Sequence, residues 1–284
     1  MHLIERPLFR SELLAIRHAV ARPTEAECSD LAWAEADLVI LPFAGLFALH
    51  DAPRRHFIAN PNHALFLGRG QPYRMSFPGR IGDESIVLAF SPAALADMLA
   101  ETVGLQALCS PRLRPNCLLS AENVLERSLL WREMMSASPD PLAVEERSVA
   151  VMEAVLRGAA SNGHAAPSPG RALTHARRRR QVEDVKEAIT LFPTQPWTLA
   201  ALASVANTSQ YHLARVFREE VGLPVHQYLL RTRLGKVMEA MHETGMGLTD
   251  IALDAGFASH SHLTAAFRAH FGMAPAEFRR TVLR

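Results

Sequence analysis

The sequence predicts an α+β protein: a β-barrel with an attached helix pair, joined to an all-helical C-terminal domain. Three observations predict it. Short apolar runs broken by Pro- and Gly-rich turns fill residues 31–91. From Ser120 onward the apolar residues take up helical spacing instead. From about residue 198 the chain repeats itself at an offset of 49 to 50 residues.

Within the first region, Leu38-Val39-Ile40-Leu41, Leu46-Phe47-Ala48-Leu49, Ala64-Leu65-Phe66-Leu67 and Ile86-Val87-Leu88-Ala89-Phe90 have strand length. Asn60-Pro61-Asn62, Gly68 to Pro72, Pro78-Gly79 and Gly82-Asp83 punctuate them. Several short strands at this spacing favour a barrel or sandwich. Ser120 is then a helix cap, with Leu125, Leu129 and Leu130 on one face of a helix reaching about Met135. Asp140-Pro141 is a cap followed by proline at the first helical position, and opens a second helix to about Leu156. Residues 161–174 have linker composition, small, polar and rich in Pro and Gly. The expected domains are therefore 1–160, a linker at 161–174, and 175–284.

Charge follows the same division. Of the 30 Lys/Arg and 29 Asp/Glu, residues 171–284 hold 15 and 10, leaving a basic back and an acidic front on a chain of net charge +1. That fits a nucleic-acid-binding tail on a differently employed head. Three cysteines (Cys28, Cys109, Cys117) without paired spacing argue against a disulfide framework or a cysteine-built zinc site and fit a reducing cytoplasm. No run approaches the ~18 apolar residues of a membrane span, and no secretory leader opens the chain, so a cytoplasmic protein is expected.

The repeat is the strongest signal. His212-Leu213-Ala214-Arg215-Val216-Phe217-Arg218 recurs as His262-Leu263-Thr264-Ala265-Ala266-Phe267-Arg268, offset by 50. Upstream, Ala203 and Asn207 answer to Ala252 and Gly256 at an offset of 49, so the second copy has one more residue in its central turn. Each copy reads as a helix-turn-helix. A small residue sits where the helices cross, and Asn207 or Gly256 then supplies positive φ. A Ser/Thr cap starts the second helix, and Gly222 or Gly272 stops it. A continuous helical pattern over 225–243 separates the units, so both second helices are expected to enter successive major grooves about 34 Å apart.

Ile251-Ala252-Leu253-Asp254-Ala255-Gly256-Phe257, Ser261-His262-Leu263 and Phe267 to Arg279 resemble the signature of the AraC/XylS family of transcription regulators, as do Gly222-Leu223-Pro224-Val225, Tyr228 and Arg233-Leu234. The resemblance covers roughly residues 175–280. At matching positions it implies base contacts by Gln210, Tyr211 and Arg215 in the first unit and by His260, Ser261 and Thr264 in the second. Arg215 suits guanine O6 and N7, and Gln210 suits adenine. Ala265 stands where the family often has arginine, which predicts weaker readout by the second unit. Arg218, Arg231, Arg233, Lys236 and Arg268 are candidates for phosphate contact.

The front resembles the cupin-like sensor domain of some members, through Asp51, Asn60-Pro61-Asn62, Gly70 to Arg74, Pro78, Gly82-Asp83 and Phe90-Ser91-Pro92. This implies small-molecule sensing, homodimerisation, or both. Trp33, Phe43, Phe47, Phe66 and Tyr73 are the aromatic candidates for an effector pocket. Phe77-Pro78 replaces the family's frequent His-Pro pair, and neither metal nor another cofactor is expected. The implied partners are double-stranded DNA, a small effector and RNA polymerase, with transcription activation the favoured outcome. An alternative is a metal- or thiol-responsive regulator using His50, His56 and His63, or Cys109 and Cys117. An enzyme is not expected, because no nucleophile motif, carboxylate pair or phosphate loop is visible.

Overall fold

A computed structural model describes residues 2–24, 28–52, 55–102, 116–161, 172–243 and 245–282. Among the described residues the front half holds ten strands: β1 (His2–Arg10), β2 (Leu14–Arg22), β3 (Ala32–Trp33), β4 (Leu38–Gly45), β5 (Phe47–Ala52), β6 (Arg55–Ala59), β7 (His63–Leu67), β8 (Pro72–Ser76), β9 (Asp83–Phe90) and β10 (Asn116–Leu118). They form a six-stranded sheet, β1-β2-β9-β4-β7-β10, facing a four-stranded sheet, β3-β8-β5-β6. Every pairing is antiparallel. The four apolar runs of the sequence lie in β4, β5, β7 and β9, as expected. The strands β1 and β2 were not foreseen, because their apolar residues are interleaved with Arg, His and Glu.

Alternation along the strands explains the two cores. Leu38, Ile40, Leu65, Leu67 and Val87 point between the sheets, where Phe47, Leu49 and Phe77 meet them. Val39, Leu41, Ala64, Ile86, Leu88 and Phe90 point the other way. The six-stranded sheet is thus apolar on both faces and needs a second cover. The chain passes between sheets at Gly45, whose φ is +80°, and a Cβ there would lie 2.2 Å from the Gly82 carbonyl oxygen. Only glycine fits this corner.

Helices α1 (Pro92–Thr102), α2 (Ala121–Met134) and α3 (Pro141–Ser161) follow. Ser120 caps α2 by accepting from Asn123 N, as its sequence position implies. Asp140 accepts from Leu142 N at the start of α3, which runs past Leu156 to Ser161. Most of the expected linker lies outside the described residues, and α4 (Ala172–Leu191) begins inside its stated boundary.

The last third continues as α5 (Leu199–Val205), α6 (Gln210–Val221), α7 (Val225–Glu243), α8 (Leu248–Asp254), α9 (His260–Phe271) and α10 (Pro275–Val282). These helices do not stand apart from the barrel. Leu234, Val237, Met238 and Met241 of α7 share one core with the outer face of the six-stranded sheet, α2 and α3. Meanwhile α4 packs on β6, and both α9 and α10 pack on α2.

Buried polar groups pin this junction. Because β6 is an edge strand, Ile58 N finds its acceptor in Glu183 Oε2 at 2.6 Å. Glu183 also holds Lys186 Nζ at 2.9 Å, and both side chains are largely buried. Asn60 Nδ2 donates to Thr190 Oγ1 at 2.9 Å and to Tyr228 OH at 3.2 Å. Gly45 N donates to Glu239 Oε1 at 3.1 Å.

Two predictions follow from burial. Glu183→Ala strands Lys186 as a buried unpaired cation, which is expected to cost ~3–5 kcal/mol in urea unfolding; a loss below ~1 kcal/mol would show that the pair is not structural. Burial pushes Asp83 up to about 7, although Ser85 Oγ donates to its Oδ2. A carboxyl raised on folding favours the folded state below its unfolded value of 3.8, and that stabilisation disappears as pH rises through 7. Wild type should therefore lose stability relative to Asp83→Asn between pH 4 and pH 8 (bounds set at roughly the two titration points). A difference flat with pH would refute this.

Candidate nucleic-acid interface

Two helix pairs in the last third share one construction. In the first, Thr198 caps α5 by accepting from Ala201 N, and Ala206 ends it. Asn207 then takes φ +46°, a left-handed conformation that asparagine tolerates. Ser209 caps α6 by accepting from His212 N, and Gly222 closes α6 at φ +81°. In the second, Ala255 ends α8, Gly256 takes φ +83°, Ser259 caps α9 through His262 N, and Gly272 closes α9 at φ +74°. The turn from Ala255 to Ser259 is one residue longer than that from Ala206 to Ser209, as the two offsets require.

Packing fixes which face each second helix shows. Leu213, Val216 and Phe217 turn inward onto Val182, Val185, Leu202, Ala203 and Tyr228. Leu263 and Phe267 turn inward onto Ile251, Ala252 and Phe278. The opposite face of α6 is left to solvent: Gln210, Tyr211, Ala214, Arg215 and Arg218 are exposed, Tyr211 to 80%. Arg215 NH1 pairs with Glu219 at 2.9 Å, an exposed i,i+4 contact worth only ~0.3–0.5 kcal/mol, so a stronger acceptor can take it over. On α9, His260, Ser261, Ala265 and Arg268 are exposed.

Several expected positions differ. Thr264 is half-buried, and its Oγ1 lies inside without a hydrogen-bond partner, so its hydroxyl does not face outward as expected. The three candidates on α7 are turned toward protein rather than solvent. Arg233 Nε donates to the Pro193 carbonyl at 2.7 Å and NH2 to that of Gln195 at 3.3 Å, tying down the loop before α5. Arg231 is half-buried and reaches the Leu119 carbonyl at 3.4 Å. Lys236 pairs with Glu239 at 2.7 Å, beside the barrel corner. Burial of part of each guanidinium lowers Arg231 and Arg233 from their ordinary values. Helix periodicity could not foresee this, because α7 is covered on several sides by both units and the barrel.

The five aromatic pocket candidates are not brought together. Phe47 is in the core between the sheets and Tyr73 packs against it. Phe43 and Phe66 lie on the outer face of the six-stranded sheet. Trp33 is 59% exposed. Pleating separates them, since odd and even positions of a strand point to opposite faces.

The candidates for metal or thiol sensing are also dispersed. His50 and His56 are cross-strand partners with ring centroids 5.5 Å apart, and Cys28 Sγ lies 3.5 Å from His50 Nε2. His63 is elsewhere, buried against Asn60. Cys117 is buried, and burial pushes its thiol up to about 12, out of reach of thiolate chemistry at neutral pH. Cys109 lies outside the described residues. Among the described residues no group of three or more His, Cys, Asp or Glu is set to hold a metal ion, and no helix is long and apolar enough to cross a membrane.

Comparison with known proteins matches the same region. Residues 202–281 fit the family model described as a helix-turn-helix domain. Over 78 residues the chain is 35% identical to a probable transcription factor, PqrA, of Proteus vulgaris, a match covering 28% of this chain and 64% of that one. Over 87 residues it is 36% identical to the right origin-binding protein of Escherichia coli K12, covering 31% and 30% respectively. The chain thus spans less than two thirds of the length of these relatives. Among solved structures, that of ToxT from Vibrio cholerae aligns over 95% of this chain and 99% of its own, at 11% identity and a TM-score of 0.37. With its paired units, left-handed turns and serine caps, the last third of this chain matches a helix-turn-helix domain and is similar over that stretch to transcription regulators, a putative AraC-like regulator of Streptomyces antibioticus among them.

Proposed function

We propose that the protein is a sequence-specific DNA-binding transcription regulator of the cytoplasm. Residues 175–284 grip double-stranded DNA, and residues 1–160 govern that grip in response to a small molecule. The observation that carries this reading is the pair of second helices, α6 and α9, each anchored by an inward Leu and Phe and each leaving a polar face in solvent. A helix capped by serine and projecting short polar and arginine side chains suits a major groove. The family resemblance adds RNA polymerase as a partner and activation as the outcome. Regulation, not catalysis, is the proposed role.

The two units are unequal in this reading. The first presents Gln210, Tyr211 and Arg215 together. The second presents His260 and Ser261, with a methyl group at Ala265 where a longer donor would reach a base. Specificity then rests on the first unit and positioning on the second. Arg218 and Arg268, exposed at the ends of their helices, remain proposed phosphate contacts.

The test begins with full-length protein and DNA selected from a random pool. Arg215→Ala should lose ~1–3 kcal/mol of discrimination at one base pair, and His260→Ala much less. Equal losses across a panel of altered sites would refute the asymmetry. Arg218→Ala and Arg268→Ala should each reduce the slope of log affinity against log salt by ~1. Arg233→Ala should leave that slope unchanged and instead lower thermal stability, by removing its two carbonyl contacts; a changed slope would restore Arg233 as a phosphate contact.

A further inference from the structure

The outward stripe of α6 carries an exposed carboxylate beside its polar and cationic groups. Glu219 lies four residues after Arg215 on that stripe and accepts from Arg215 NH1 at 2.9 Å. Helix stability does not explain a glutamate here. It stands three residues before Gly222, which closes α6, and the partial negative charge of a helix C-terminus repels a carboxylate. The order of the pair is also the poorer one, because a glutamate four residues before its cation stabilises a helix more than one four residues after it. Affinity for DNA does not explain it either, since a carboxylate on a face turned toward phosphates opposes binding.

The internal repeat supplies a second, independent observation. Its offset of 50 sets Arg215 against Ala265 and Glu219 against Ala269, so both members of the pair are missing together from the second unit. Arg218, by contrast, keeps its counterpart in Arg268. Glu220, the acid next to Glu219, has a structural use: it is partly buried and pairs with Arg179 of α4 at 3.7 Å. Glu219 is thus present where Arg215 is present and absent where that arginine is absent.

We propose that Glu219 is a positioning residue that makes Arg215 selective for a base. The charge-assisted bond to NH1 steadies the guanidinium and leaves the edge formed by Nε and NH2 for O6 and N7 of a guanine. Where no guanine stands at that position, the acceptors left are other base edges and phosphates. To reach a phosphate, Arg215 has to leave Glu219, and the carboxylate left behind repels that same phosphate. Glu219 therefore lowers affinity on every sequence, but least where Arg215 meets its guanine. The ratio of selected to unrelated DNA rises while absolute affinity falls. Arg218 has the opposite effect in this scheme, because it lends its charge to any sequence. The inference rests on the DNA-binding reading of α6 proposed above.

The experiment measures the affinity of full-length protein for DNA selected from a random pool and for unrelated DNA, over a range of salt. It compares wild type, Glu219→Ala, Arg215→Ala and the double variant. Glu219→Ala should bind unrelated DNA more tightly than wild type, with a slope of log affinity against log salt steeper by ~1, because Arg215 is freed to take a phosphate. Its ratio of selected to unrelated affinity should fall ~10-fold, within the range that one bidentate base contact supplies. In the Arg215→Ala background the same change should leave the ratio unaltered, since Glu219 acts through that arginine. Glu219→Gln, which drops the charge but keeps an acceptor, is a second variant with the same directions and smaller changes expected. An unchanged ratio, a shallower slope, or an equal fall in the Arg215→Ala background overturns the positioning role while leaving sequence-selective binding intact. A wild type that prefers no sequence overturns the function proposed above, and this inference with it.

Discussion

The six-stranded sheet is apolar on both faces, and the rest of the architecture depends on covering it. The four-stranded sheet closes over one face with Phe47, Leu49 and Phe77. The other face, led by Leu41, Ile86 and Leu88, shares its core with Met98 of α1, with α2 and α3, and with Leu234, Val237, Met238 and Met241 of α7. A helix that belongs by sequence to the helix-turn-helix third is thus part of the hydrophobic core of the front. Burial of this kind is worth ~25 cal/mol per Å² of apolar surface, and it is the main force holding the two halves together.

Polar groups set the alignment of that apolar contact. The edge of β6 offers an unpaired N–H, and Glu183 answers it from α4. Asn60, in the turn before β7, reaches both Thr190 of α4 and Tyr228 of α7. Such bonds are individually modest but directional, and an unsatisfied buried donor costs more than a made bond gains. They select one docking geometry from the many that apolar surfaces would allow. Arg127 belongs to the same set through its two carbonyl contacts, to Pro42 and Pro61, although its Nε keeps a buried donor unused.

Much of this was legible in the sequence where a pattern is local. The positive-φ residues Asn207 and Gly256, the serine caps and the terminal glycines follow from steric rules that act within a few residues, and the structure shows each in place. The apolar runs located β4, β5, β7 and β9. What escaped detection was non-local. The turn Asn60-Pro61-Asn62 reads as a chain reversal, and nothing in it discloses a partner 168 residues away. Arg231, Arg233 and Lys236 read as surface cations because a helix between two units has no single solvent face. Arg127 was invisible for the opposite reason: one arginine in an amphipathic helix is expected to point outward, and the carbonyls of Pro42 and Pro61 that draw it in come from distant parts of the chain.

The shared core bears on how such a chain can evolve. Domains joined by a flexible tether recombine freely, because neither depends on the surface of the other. Here a transplanted front half would arrive with the face around Leu41 and Ile86 fitted to this particular α7, and a transplanted reader would bring an α7 fitted to this sheet. Exchange therefore demands matched changes at Leu234, Val237, Met238 and Met241, and the two halves are bound to diverge as a lineage rather than as interchangeable parts.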